Sequence, residues 1–183
     1  MQKIGASIIT TLYILIIIVA VYLCSVAICY PKKYEIQINK VCAEFEISKP
    51  VFYALVNTES SFNPKAKSHA GAIGLTQILP STAEYICVKN NLDFSKFDLY
   101  EPNDNLYLGA MYLRYLINRF DNIYTALSAY NAGETIVRNW LSDNRYSYDQ
   151  ICLYNIPYKE TREYIKKIKN NEKMYINFYK LQK

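Results

Sequence analysis

Histidine is almost missing from this 183-residue chain, which has only His69, and no Cys-x-x-Cys or His-Glu-x-x-His spacing occurs anywhere in it. Metal catalysis therefore has no ligand set to draw on. A Cys–His protease would have to route its chemistry through that one loop histidine. There is no glycine-rich phosphate loop, no internal repeat and no low-complexity linker. No cofactor is implied. The five cysteines are too few for a disulfide scaffold, and Cys24 and Cys29 fall inside an apolar run. Cys42, Cys87 and Cys152 remain, an odd number that leaves at least one free thiol.

Charge is absent from Ile4 to Tyr30, where the chain reads "LYILIIIVAVYLCSVAICY" at its centre. About 20 apolar residues cross a bilayer as a helix, whereas the apolar core of a cleaved signal peptide is about 7 to 15 residues long. An uncleaved transmembrane anchor over residues 1–33 is the favoured expectation. A signal segment stays open beside it, because Ser25-Val26-Ala27 resembles the pattern before a signal-peptidase cut. Lys3 on one flank and Lys32 and Lys33 on the other do not settle orientation. Beyond the anchor, 51% apolar composition suits one domain with a real core.

The net charge of +5 is unevenly placed: residues 1–158 hold 13 Lys/Arg and 13 Asp/Glu, so the excess lies in the last 25 residues. A nucleic-acid binder spreads basic residues over a folded face, so no nucleic-acid partner is expected. The basic end reads as a solvated helical face, or as one drawn to an anionic envelope polymer or lipid surface.

Period-two alternation is lacking too, which points to an all-α domain with room for at most one short β-hairpin. Ser48-Lys49-Pro50 marks a helix start, and Asn63-Pro64 marks its end. Residues 64–79, with Gly71 and Gly74, read as an ordered loop. Pro80 opens another helix. Asn103 is the expected cap of a helix striped by Leu106, Ala110, Leu113, Ile117 and Phe120. Helices are expected at about 122–131, stopped by Gly133, at 135–141, and from Lys159 to about Asn170. The domain is expected over 34–170, with a basic tail at 171–183.

Within the first of these helices, Phe52, Leu55, Val56 and Glu59 fall at i, i+3, i+4 and i+7 and share one face. A carboxylate at the end of an apolar stripe, near a helix C-terminus, is disfavoured by desolvation and by the macrodipole alike. Its raised pKa suits a general acid whose conjugate base takes a proton back, the chemistry of glycosidic-bond cleavage. The plainer alternative is a stripe that simply ends there, with Glu59 turned to solvent or paired with Lys65 or Lys67. Ser68 and Gln77 bring neutral hydrogen-bonding groups to the following loop. Tyr130 and Asn131, at a helix end, pair an aromatic ring with a carboxamide, a combination suited to an N-acetyl sugar.

The order "ES", "GAIGLTQILPSTA", "SAYNAGE", "IPYKETREYI" resembles the lytic transglycosylases of the soluble-lytic-transglycosylase (SLT) type, which are related in fold to goose-type lysozyme. The match runs over roughly residues 34–170. The resemblance implies a lysozyme-like helical domain that cleaves the MurNAc-β-1,4-GlcNAc bond of peptidoglycan without water, leaving 1,6-anhydromuramyl ends. It implies that Glu59 is the single acid and base, unlike the two carboxylates of ordinary glycosidases. Ser68, Gln77, Tyr130, Asn131 and Tyr164 are then expected to bind substrate or to flank the acid. Thr76 departs from the family, which usually has Met there, and the loss of that side chain is expected to weaken contact with sugar or peptide.

A hydrolytic muramidase that uses a second carboxylate, from Asp93, Asp98, Glu101, Asp104 or Glu134, is the alternative enzyme. A membrane-tethered peptidoglycan-binding scaffold is the non-catalytic one. The expected location is the cell envelope, anchored in the inner membrane and facing the wall, or exported after signal cleavage. The expected setting is local opening of the wall for secretion or conjugation machinery.

Overall fold

The computed structural model describes residues 2–181, with side chains from residue 11 onward. The chain divides into two compact units between Lys33 and Tyr34. The first holds α1 (Gln2–Cys29), whose stretch Thr11–Cys29 is long and apolar enough to cross a bilayer. The second holds α2 (Glu35–Glu44), α3 (Lys49–Ser60), α4 (Pro80–Lys89), a 3₁₀ turn at Phe94–Lys96, α5 (Pro102–Ile117), α6 (Ile123–Ala132), α7 (Glu134–Leu141) and α8 (Lys159–Tyr179). Among the described residues, the hairpin left open by the sequence does not form a ladder. Loop 61–79 carries isolated antiparallel bridges, Lys67 with Ile73 and Ile73 with Ile78.

Helix α3 is the centre of the domain. Every residue from Pro50 to Asn57 is buried, so the helix is apolar all round rather than striped, as a helix enclosed by others must be. Phe52, Tyr53 and Leu55 are fully enclosed, and each buried side chain of this size stabilises by about 2 kcal/mol. The partner packed most extensively on α3 is α8. Tyr53 meets Tyr175 of α8, with ring centroids 5.1 Å apart.

Several boundaries differ from the expectations. α3 stops at Ser60 because Ser61 turns left-handed (φ 51°), three residues ahead of Pro64. Ser48 occupies the N-cap position but its hydroxyl makes no capping bond. α5 starts two residues earlier than Asn103 would set, with Pro102 first in the helix and Glu101 as cap. α2 is an element the sequence reading lacked. Helix α8 runs past Asn170 to Tyr179, and Asn171, Glu172 and Tyr175 within the expected tail are buried. The polar pair is satisfied by other helices: Asn171 Nδ2 donates to Thr58 Oγ1 (2.9 Å), and Glu172 accepts from the Tyr124 hydroxyl (2.7 Å).

Candidate active site

Glu59 sits in the last turn of α3, where the buried helix reaches the edge of the core, and its residues 58–60 are each tied to a different group. Thr58 is held by Asn171, and its carbonyl accepts from Lys167 Nζ (3.2 Å). Glu59 Oε1 accepts a 2.7 Å hydrogen bond from the Tyr164 hydroxyl. The Ser60 hydroxyl donates to the Leu75 carbonyl (2.8 Å) and fastens the helix end to loop 61–79. Tyr164, Lys167 and Asn171 follow at i, i+3 and i+7, so a single face of α8 supplies three of these contacts.

Desolvation raises the Glu59 pKa from 4.5 to about 7, against the opposing pull of the Tyr164 hydrogen bond and the Lys167 charge. The acid is therefore substantially protonated at neutral pH. Burial, and then the nearby Glu59 charge, push the Tyr164 and Tyr130 phenols far up. Both stay neutral and act as hydrogen-bond donors. Tyr130 donates to the Thr76 carbonyl at 3.0 Å, and its ring lies 5.2 Å from that of Tyr112.

The loop beside the acid is braced by α5. Asn105 Oδ1 accepts from the Thr76 amide and hydroxyl, both at 2.8 Å, while its Nδ2 donates to the carbonyls of Ile73 (2.9 Å) and Leu99 (2.8 Å). Four buried polar groups are thus satisfied by one carboxamide. Thr76 is fully buried and rests on Gly109, where any Cβ would overlap its side chain. The Thr76 side chain therefore faces α5. Gly74 packs equally tightly on Asn105 in a left-handed conformation (φ 76°) open chiefly to glycine.

Of the residues singled out by sequence, Glu59, Tyr130 and Tyr164 come together. Ser68 and Gln77 lie in the adjoining loop with their polar groups engaged in its own fold. The Ser68 hydroxyl accepts from the Ala72 amide (3.0 Å), and Gln77 Nε2 donates to the carbonyls of Gly74 (2.9 Å) and Ala66 (3.1 Å). Gln77 is itself left-handed at φ 48°, a backbone state that costs a non-glycine residue about 1 kcal/mol and persists here under those bonds. Asn131 is partly buried in the last turn of α6, beside Tyr130. Asn105 and Lys167 were not singled out. Asn105 lies at the polar start of the expected stripe helix, directly after Asn103 and Asp104, where nothing local sets it apart.

Glu134, one of the possible second carboxylates, begins α7. It accepts from the Tyr115 hydroxyl (2.8 Å), Arg119 Nε (3.1 Å) and Arg138 (2.8 Å). Burial works against its charge, but these donors outweigh it and hold its pKa below the usual range.

This helical domain, with a desolvated glutamate bonded to a buried tyrosine, has recognisable relatives among known proteins. The sequence matches the transglycosylase SLT domain over residues 37–152, and the chain belongs to that family. It is 34% identical over 144 residues to the soluble lytic murein transglycosylase of Escherichia coli K12, covering 76% of this chain and 22% of that protein. It is 30% identical over 169 residues to membrane-bound lytic murein transglycosylase C of Haemophilus ducreyi, covering 80% of this chain and 46% of that one. The 70-kDa soluble lytic transglycosylase of E. coli superposes with a TM-score of 0.71 at 30% identity, over 82% of this chain and 25% of its own. The lytic transglycosylase Slt of Pseudomonas aeruginosa, solved as an inactive glutamate-to-glutamine mutant, gives 0.72 at 27% identity, over 84% and 25%. The chain spans about a quarter of the length of the first of these curated relatives.

Proposed function

We propose that this chain is a lytic transglycosylase that cleaves the MurNAc-β-1,4-GlcNAc bond of peptidoglycan, with Glu59 as acid and then base. The observation that carries this reading is a carboxyl near pKa 7 in the last turn of a buried helix, with one oxygen already bonded to Tyr164. Tyr164 fixes Oε1, so Oε2 carries the proton toward the glycosidic oxygen. As the C1–O bond breaks, that proton leaves with the GlcNAc hydroxyl. The resulting carboxylate removes the proton of the muramyl C6 hydroxyl as that oxygen bonds to C1. The proton count closes and no water is consumed. Tyr130, Asn131, Ser68 and Gln77 line the approach for the sugar.

The bonds already made by Glu134 favour this one-carboxylate route over hydrolysis. An anion held by two arginines and a phenol is poorly basic toward water. Mass spectrometry of the released muropeptides separates the two outcomes, since a reducing end is one water heavier than an anhydro end. Anhydro products from wild type, and none from Glu59→Gln, are the expected result. Reducing ends would reassign the chain as a muramidase. Equal release by both proteins would remove Glu59 as the catalytic residue, and release by neither would make the chain a scaffold.

The relative described as membrane-bound and the apolar stretch Thr11–Cys29 both favour an envelope protein anchored by α1, with the domain on the wall side. Local wall opening for secretion or conjugation machinery is the setting the family suggests. A deletion strain that assembles such machines normally but turns over its wall poorly would remove that setting.

A further inference from the structure

We propose that the outward face of α8, together with the segment 148–158 beside it, is a docking surface for the anionic phospholipid headgroups of the bilayer that α1 enters. Arg162, Lys166, Lys169 and Lys173 recur at i, i+4, i+7 and i+11, all exposed, and form one stripe about 17 Å long. The buried side of the same helix carries Tyr164, Ile168, Asn171 and Tyr175. The acids around the stripe offset it weakly. Glu163 reaches Lys166 only at 4.0 Å, Glu172 is turned inward to Tyr124, and Glu160 is exposed at the helix start.

The second component is apolar. Segment 148–158 leaves Tyr148 (77% exposed), Ile151 (42%), Tyr154 (51%) and Tyr158 (52%) in the open. Tyrosine rings suit the headgroup layer, where one end is apolar and the other wet. A groove of about 350 Å³ joins the two components: Leu153, Tyr154 and Ile156 form one wall, and Arg162, Lys166 and Lys169 the other. A basic wall facing an apolar wall matches a phosphate headgroup with the start of its acyl chains. It does not match a neutral glycan.

The short connection to α1 favours a lipid surface over an anionic wall polymer. Only residues 30–34 separate α1 from α2, a reach of at most about 20 Å, which gives the domain a high effective concentration at any bilayer α1 enters. Each basic residue held at an anionic surface contributes about 1 kcal/mol.

Cys152 supplies the test, because it is exposed and lines the adjoining hollow with Leu153, Ile156 and Lys169, while Cys42 and Cys87 are buried. The full chain is reconstituted into vesicles of phosphatidylcholine alone or with phosphatidylglycerol. Labelling of Cys152 by a membrane-impermeant maleimide is then followed by peptide mass spectrometry. The expected result is labelling slowed about tenfold in the anionic vesicles, with the protection removed by high salt or by Lys166→Glu with Lys169→Glu. The salt arm uses wild type, so a variant that fails to fold leaves the test standing. Equal rates in both lipids overturn the proposal. So does protection that arises only when purified sacculi are added, which would give the face to a wall polymer. The proposal rests on α1 as an anchor, and a chain washed off the vesicles at alkaline pH would overturn the anchor and the docking together. Glycan cleavage by Glu59 is read separately and survives either outcome.

Discussion

Glu59 and Glu134 are the same residue placed at opposite kinds of helix end. Glu59 closes α3, where the macrodipole opposes a negative charge, and it is surrounded by buried groups with a single phenol donating to it. Glu134 opens α7, where the macrodipole favours the charge, and three donors converge on it. One is held as a proton donor near pH 7, the other as a permanent anion. The difference lies in the partners and not in the carboxyl, so each partner is a handle by which the contrast can be broken.

The largest effect is expected from Glu59→Gln, which keeps shape and burial but removes the proton. Release of anhydromuropeptides should fall by roughly 10³-fold, within the range general acid–base catalysis contributes. Glu134→Gln should leave anhydro chemistry in place. A comparable loss there would erase the distinction drawn between the two.

Next is the brace behind the acid. Asn105→Ala leaves the Thr76 amide and two loop carbonyls without partners, and chemical denaturation should report a loss of about 3 kcal/mol. A drop under 1 kcal/mol would mean that the loop is not held from α5.

The pH dependence of stability should have opposite signs at the two sites. Glu59 titrates near 4.5 unfolded and near 7 folded, so the folded state binds the extra proton between those values. Its contribution is full below about pH 4.5 and is lost as pH rises through 7, by as much as about 3 kcal/mol. Glu59→Gln should flatten that fall. For Glu134 the folded pKa is depressed, so its contribution is present at neutral pH and disappears on acidification. Denaturation midpoints of wild type and both Gln variants, taken from acid to mildly alkaline pH, check the two slopes.

The smallest effect is at Lys167, whose charge favours ionised Glu59. Lys167→Met should move the alkaline limb of the kcat/KM profile upward by roughly half a pH unit, the scale of one solvent-screened charge. No movement would place Lys167 outside the field felt by the acid.

Much of this was legible in the chain. The i, i+3, i+4, i+7 placement of Glu59 behind Phe52, Leu55 and Val56 is a local pattern, and so is the Gly133 stop. The tyrosine above the acid was not readable from spacing, because Tyr164 lies 105 residues away and only the family resemblance supplied it. The orientation of Thr76 was unreadable for the same reason. Its surroundings are Asn105 and Gly109 on a distant helix, and nothing nearby in sequence says which way it faces. α2 was missed because its apolar positions, Ile38, Val41 and Cys42, are few and are set among Lys40 and Glu44. The far half of α8 is polar in sequence, and its burial depends on Thr58, Tyr124 and Tyr53 waiting on other helices.

Three consecutive residues, Thr58, Glu59 and Ser60, are each fastened before any sugar arrives. The acid thus gives up its rotational freedom once, when the polypeptide folds, and not again at every turnover. In the proposed reaction, attraction gained from the remainder of the glycan strand is then free to bend the muramyl ring toward its reactive shape.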